Sequence, residues 1–230
     1  MSCGVYVYGD SLMKATMPDQ NFRYHFHIGE LRDRYRSERF TLVNRAKMGA
    51  TVHKGRALVE HDLERGLDAR YALVAYGGND SDFDWAAIAA APEEEHLPRT
   101  EMADFRALLG ETAEALRRAG VQPVLMTLPP IDADRYLAFI CRDGLSRSSI
   151  LAWLGDVQHI YRFQEAYSET VAAVARERDL PLIDVRRRFL LERQMPRLIA
   201  ADGIHLTMPG YVILYDFLTG WLRQEIGGTL

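Results

Sequence analysis

Cysteine is nearly missing from this chain of 230 residues. Only Cys3 and Cys141 occur, too few for a disulfide framework, so the fold must rest on an ordinary apolar core. Lysine is scarce too, confined to Lys14, Lys47 and Lys54, with arginine supplying the rest of the 28 basic residues. No sign of charge dominates: 32 acidic residues against those 28 leave a net charge of −4, which excludes a field strong enough to gather nucleic acid. No apolar run approaches the ~20 residues that span a bilayer, and the first residues show neither a basic leader nor a small-residue cleavage site. Membrane insertion is therefore not expected, and the cytoplasm is the expected compartment. The phosphate-cradling loops G-x-G-x-x-G and G-x-x-x-x-G-K-[ST] do not occur, which argues against a nucleotide- or flavin-binding protein. His25 and His27 lack a compact third ligand, too little for a metal site. No heptad or apolar stripe indicates an oligomeric state.

What is present is a composition of 48% hydrophobic and 26% charged residues, as in globular proteins. Five short apolar runs, Val5–Tyr8, Phe40–Asn44, Ala72–Tyr76, Pro123–Thr127 and Pro181–Val185, suit strands buried on both faces. Helical spacing fills the intervals at Phe22–Arg36, Gly55–Leu67, Met102–Ala119 and Arg162–Arg178, and again at Pro209–Gln224. Strands alternating with helices predict a parallel sheet, and right-handed crossovers place helices on both faces. The expectation is an α/β protein, a three-layer α/β/α sandwich, with residues 1–230 forming one domain. The stretch from Pro129 to Tyr161 reads as a long irregular connection of the kind that walls a binding site.

Strand one ends in Gly9-Asp10-Ser11-Leu12, where glycine permits a tight turn and Ser11 sits at the start of a helix. A helix amino terminus offers a free N–H and a positive dipole end to an oxyanion forming beside the serine; a simple cap explains the same residues equally well. Asp202-Gly203-Ile204-His205 precedes the last helical segment. A spacing of three lets the aspartate accept from one ring nitrogen, fixing the tautomer whose other nitrogen takes a serine proton. Asp156 and His159 share that spacing but lie among Trp153, Leu154, Ile160 and Tyr161, a setting that suits packing or capping better. Tyr76-Gly77-Gly78-Asn79-Asp80 closes strand three, where Asn79 can donate into a site or simply make a turn. Gly49 follows strand two and can present an unobstructed backbone N–H. In a flavodoxin-like strand order 2-1-3-4-5, Gly49, Ser11 and Asn79 converge at the carboxyl edge. The stretch from Arg186 to Ala201 is long enough to bring His205 back to them.

These four blocks, in this order from Val5 to Tyr211, resemble the SGNH-hydrolase superfamily, also called the GDSL family. The resemblance implies a flavodoxin-like fold, no cofactor, and a serine esterase with Ser11, His205 and Asp202 as its triad. Its oxyanion hole would be the backbone N–H groups of Ser11 and Gly49 and the Asn79 side chain. Many members carry threonine at the position of Met13 and glycine at that of Ala15, differences that bear on substrate preference. The partner expected is a small-molecule ester, with a short acyl group as the middle choice. Carbohydrate O-acetylesterase, acyltransferase and thioesterase chemistry could use the same site, and a catalytically inactive ligand-binding module is the alternative of another class. Asp10, Met13, Phe83, Trp85 and Tyr136 are the expected substrate-binding residues. Phe139, Trp153 and Tyr161 could also line an apolar or sugar-stacking pocket, and Arg135 and Arg142 could meet an anionic group.

Overall fold

The computed structural model describes residues 3–34 and 40–227. β1 (Cys3–Gly9) leads into a single 3₁₀ turn at Leu12–Lys14, a hairpin of β2 (Thr16–Pro18) and β3 (Tyr24–Phe26), and α1 (Ile28–Arg34). Next come β4 (Phe40–Asn44), α2 (Val52–Glu64), β5 (Tyr71–Ala75), α3 (Trp85–Ala90), α4 (Met102–Arg118) and β6 (Gln122–Met126). The chain continues through α5 (Ala133–Cys141), α6 (Arg147–Leu154), α7 (Gln158–Glu177), β7 (Leu182–Ile183), α8 (Val185–Leu190) and α9 (Met208–Gly227).

The main sheet has five strands in the order β4-β1-β5-β6-β7, all parallel, which is the expected 2-1-3-4-5 arrangement. Its strands alternate between two cores because successive side chains point to opposite faces. Val5, Val7, Leu73, Ala75 and Val124 pack with Phe189 of α8 and Tyr211 and Leu214 of α9. Tyr8, Ala72, Val74 and Leu125 face the other way, against Phe105 and Leu109 of α4 and Tyr167 and Val171 of α7. Two helical layers around a parallel sheet give the α/β/α sandwich. A third cluster, built from Phe83, Trp85 and Ile88 after β5 and Tyr136, Leu137 and Ile150 after β6, sits on connections that leave the carboxyl edge.

Three local expectations are corrected. Phe22–Arg36 is not one helix: Tyr24–Phe26 pairs antiparallel with Thr16–Pro18 and the helix starts only at Ile28, while Tyr35 and Arg36 lie outside the described residues. Pro129–Tyr161 is not irregular. Asp132 caps α5 by accepting from the Arg135 N–H at 3.0 Å, Ser146 caps α6 through the Ser149 N–H at 3.2 Å, and Gly155 ends α6 at a φ of 76°. The last strand is shorter than Pro181–Val185, because Asp184 accepts from the Arg187 N–H at 3.1 Å and so starts α8 at Val185.

Candidate active site

The turn after β1 exists because Gly9 has no side chain. A Cβ there would lie 2.6 Å from Met13 Cγ and 3.1 Å from the Ala75 carbonyl oxygen, so only glycine lets the chain fold back over its own strand. Ser11 then leads a 3₁₀ turn of three residues rather than the expected helix, and the dipole at its amide is correspondingly small. The turn closes through N–H groups of Lys14 and Thr16 donating to the Ser11 carbonyl at 3.1 and 3.2 Å. Ala15 ends it in the left-handed region, φ 50°, which explains why glycine suits this position in the resembled family. Met13 points into the core, and its carbonyl accepts from Asn44 Nδ2 at 2.6 Å and the Tyr215 hydroxyl at 3.0 Å. It lines no part of the cavity beside Ser11, contrary to its expected place among the substrate contacts.

The second half of the site arrives from the far end of the chain. Beyond α8 a bridge between Ile199 and Leu206, with the Ala200 N–H donating to the His205 carbonyl at 2.8 Å, pinches off the loop that carries Asp202 and His205. Gly203 adopts a φ of +80°, and a Cβ there would meet Tyr136 N at 2.4 Å and the Asp132 carbonyl at 2.5 Å. Glycine thus lets the loop lie directly on the first turn of α5, where the Asp132 N–H donates to the Gly203 carbonyl at 2.8 Å.

Asp202 is wholly buried. Its Oδ1 accepts from the backbone N–H groups of Ile204 and His205 at 3.2 and 3.1 Å, and its Oδ2 lies 2.6 Å from His205 Nδ1. Burial pushes its pKa up, but the bonds from the His205 ring and the two N–H groups outweigh that and hold the carboxyl below its usual range. An ionised carboxylate can only accept, so Nδ1 carries the proton and the lone pair of Nε2 faces Ser11 Oγ, 2.8 Å away. The other Asp-His pair meets only through the backbone, the His159 N–H donating to the Asp156 carbonyl at 3.2 Å: the Asp156 carboxylate accepts from the Gln158 N–H at 2.7 Å and pairs with Arg162 at 2.8 Å, while the His159 ring stacks on Phe163.

Asn79 and Asp10 meet at the mouth of β1 and β5. Asn79 Nδ2 donates to Asp10 Oδ2 at 3.2 Å and to the Ala50 carbonyl at 3.1 Å; both neighbours are acceptors, which fixes the orientation of the amide. Asp10 also accepts from the Leu12 N–H at 2.9 Å. Gly49 lies in an exposed turn at a φ of +68°, beside Ala50, and does not line the cavity.

A cavity of about 70 Å³ opens beside Ser11, Asn79 and His205, walled by Phe83, Trp85, Ile131, Tyr136 and Ile160. Phe83, Trp85 and Tyr136, expected from the sequence as substrate contacts, are part of that wall. Two wall residues carry no sequence signal. Asp82 accepts from Tyr136 and Trp85 at 2.7 and 2.8 Å, tying those rings together, and Gln164 from α7 is held by a bond to Pro129 and by the buried Arg186. A third unforeseen neighbour, Tyr24 of β3, lies with its ring 4.9 Å from that of His205. Trp153 and Phe139 join the aromatic packing around the site without lining the cavity, and Tyr161 bonds Arg186. Arg135 is engaged by the Pro196 and Ile199 carbonyls and by Asp132, and Arg142 by Asp143 and two aromatic rings. Among the described residues no group of three or more His, Cys, Asp or Glu side chains is arranged to hold a metal ion. His25 and His27 are paired instead with Asp19 and Glu30.

The same architecture recurs in solved structures. A lipase/acylhydrolase from Enterococcus faecalis superposes with a TM-score of 0.65 at 16% identity, covering 97% of this chain and 96% of that one. A GDSL-like lipase from Bacteroides thetaiotaomicron gives 0.64 at 13% identity, covering 99% and 89%. A catalytic mutant of an acetylxylan esterase from Geobacillus stearothermophilus gives 0.63 at 18% identity, covering 99% and 96%. Among curated proteins, none matches the sequence. The sequence pattern of the GDSL-like lipase/acylhydrolase family matches residues 7–213, nearly the full length, and the chain accordingly belongs to that family, a hydrolase acting on ester bonds.

Proposed function

We propose that the chain is a serine esterase for short acyl groups, with Ser11 as nucleophile, His205 as general base and Asp202 as the group that orients and balances the charge of the imidazole. The unbroken line of hydrogen bonds from Asp202 Oδ2 through both ring nitrogens of His205 to Ser11 Oγ is the observation that carries this reading. Ser11 attacks the acyl carbonyl as Nε2 takes its proton, and the same proton passes to the departing alcohol. Water, activated by the imidazole, then releases the acid from the acyl-enzyme.

The tetrahedral oxyanion is held by the N–H groups of Ser11 and Gly49 and by the amide of Asn79. In the free protein that amide is occupied by Asp10 and Ala50, so its donation to the oxyanion replaces one of those bonds. Acyl length follows from space. With ~10–15 Å³ needed for each water-sized group, a cavity of about 70 Å³ takes a few heavy atoms, which suits acetyl to butyryl esters. The similarity to an acetylxylan esterase is in keeping with that size.

Fluorophosphonate labelling combined with p-nitrophenyl esters of graded chain length tests the proposal. Label is expected on the parent and not on Ser11→Ala, turnover of Ser11→Ala is expected to drop by about 10⁴ or more, and kcat/KM is expected to peak at two to four carbons. Labelling that persists in Ser11→Ala, or a rise in kcat/KM out to octanoate, would overturn it.

A further inference from the structure

We infer that Gln164 makes the cavity selective for a short, neutral acyl group carrying an ether, hydroxyl or carbonyl oxygen, over an all-carbon acyl group of the same length; this rests on the reading of the cavity beside Ser11 as the seat of the acyl group. Much of its wall is apolar, built from Phe83, Leu128, Ile131 and Ile160. Gln164 of α7 lines the same space and is 6% exposed. Its neighbours fix the orientation of its amide. Arg186 can only donate, and it hydrogen-bonds Oε1; the Pro129 carbonyl can only accept, and it takes a bond from Nε2 at 3.1 Å. Pro129 lines the cavity and Arg186 does not, so the NH2 end of the amide lies on the cavity side and the carbonyl end behind it.

That NH2 group has a hydrogen to spare. Two are available, one goes to Pro129, and among the described residues Nε2 donates to no second group. The hydroxyls of the wall other than Ser11 are committed, Tyr136 donating to Asp82 at 2.7 Å and Ser81 to the Gly78 carbonyl at 3.1 Å. Asp82 in turn also accepts from Trp85 at 2.8 Å and pairs with Arg99 at 3.0 Å. Gln164 is thus the wall side chain with a donor left for a ligand.

The residue behind the amide strengthens that donor. Arg186 is 3% exposed, the carboxylate paired with it, Glu165, lies at 3.7 Å, and its Nε has no partner among the described residues. Much of the guanidinium charge therefore acts on the Gln164 carbonyl and polarises the N–H at the other end of the amide. An alkyl chain filling the cavity leaves this donor with neither water nor partner, whereas an oxygen in the chain satisfies it. An acid group is disfavoured, because the carboxylates of Asp10 and Asp82 line the same space.

The experiment compares kcat/KM for p-nitrophenyl methoxyacetate and p-nitrophenyl butyrate, whose acyl groups have equal length and differ by an ether oxygen in place of a methylene, in the parent, Gln164→Glu and Gln164→Met. Dividing each variant's ratio by the parent's cancels the intrinsic reactivity of the two esters. Gln164→Glu keeps an acceptor for Arg186 but offers no donor, and it serves if Gln164→Met, which removes both, does not fold. The methoxyacetate-to-butyrate ratio is expected to fall roughly five-fold in each variant, whereas a role confined to packing α7 would slow both esters alike. A ratio within about two-fold of the parent's, or one that rises, would overturn the inference. An inactive parent or an active Ser11→Ala would instead strike at the proposed function, and the inference would fall with it.

Discussion

Asp10 is a carboxylate that the fold holds away from water, 4% exposed, and burial pushes its pKa up to about 6 from an ordinary 3.8. The folded chain therefore keeps a proton that the unfolded chain gives up between about pH 4 and 6. Stability falls as pH rises through that window and the loss is complete above it, on the order of 3 kcal/mol. Asp10→Asn removes this cost. Its melting temperature should exceed the parent's at pH 7.5, and the gain should shrink toward pH 4.5, as read by a fluorescence melt across that range. Activity should move the other way, with kcat for a short ester falling roughly ten-fold. Leu12 N–H and Asn79 Nδ2 bond different oxygens of Asp10, and the NH2 that replaces one of those oxygens in asparagine cannot accept. A melting difference independent of pH would contradict the burial argument.

Among the elements, the loop of Asp202 and His205 depends on its glycine. Gly203→Ala must force a Cβ against the backbone of α5 in a left-handed conformation, at a cost of about 2–4 kcal/mol. The displacement acts on residues that line up with Ser11, so kcat should fall more than ten-fold beside a lower melting temperature. Gly66→Ala is the control: Gly66 has a φ of +79° and nothing within 4 Å of the place its new methyl group would take, so it should lose stability by backbone strain alone and keep kcat. Equal losses of kcat in both variants would remove the special role of the close approach.

The same scale shows what could be read from the sequence. The five strands were legible because a strand buried on both faces must be an unbroken apolar run, and the order of the motifs located the carboxyl edge. Ser11, Asp202 and His205 stood out as pairs of chemistry at meaningful spacing. Tyr24 did not, because the stretch from Phe22 carries two periods at once: Phe22, Tyr24, Phe26 and Ile28 alternate as in a strand, while Tyr24, Ile28 and Leu31 repeat as in a helix. Asp19, a turn-former ahead of that alternation, was the available signal for the hairpin. Asp132 and Ser146 likewise advertised two short capped helices in the stretch that looked irregular. Gln164 and Asp82 have no such mark, since a polar residue in the middle of a helix or after a turn is explained only by partners that other elements supply.

For the molecule as a whole, the two cores on either side of the sheet separate stability from chemistry. Leu109 is fully buried on the α4 side, away from the residues that line the cavity. Leu109→Ala should cost about 3 kcal/mol and lower the melting temperature by roughly 10 °C, with kcat/KM at 25 °C within about two-fold of the parent's. A selective collapse of kcat in a still-folded Leu109→Ala would mean that the two cores are coupled through the sheet. No described helix is long and apolar enough to cross a membrane.

Ser11 and His205 stand 194 positions apart, and the hydroxyls of Tyr211 and Tyr215 in the last helix reach back to the carbonyls of Thr16 and Met13. Contacts that join the two ends of a chain come late in folding, since the entropy of closing so long a loop is lost before they form. If Ser11 and His205 act together as proposed, turnover is a timestamp: during renaturation the chain is expected to stay chemically silent until α9 docks, and the first hydrolysed ester to mark that event.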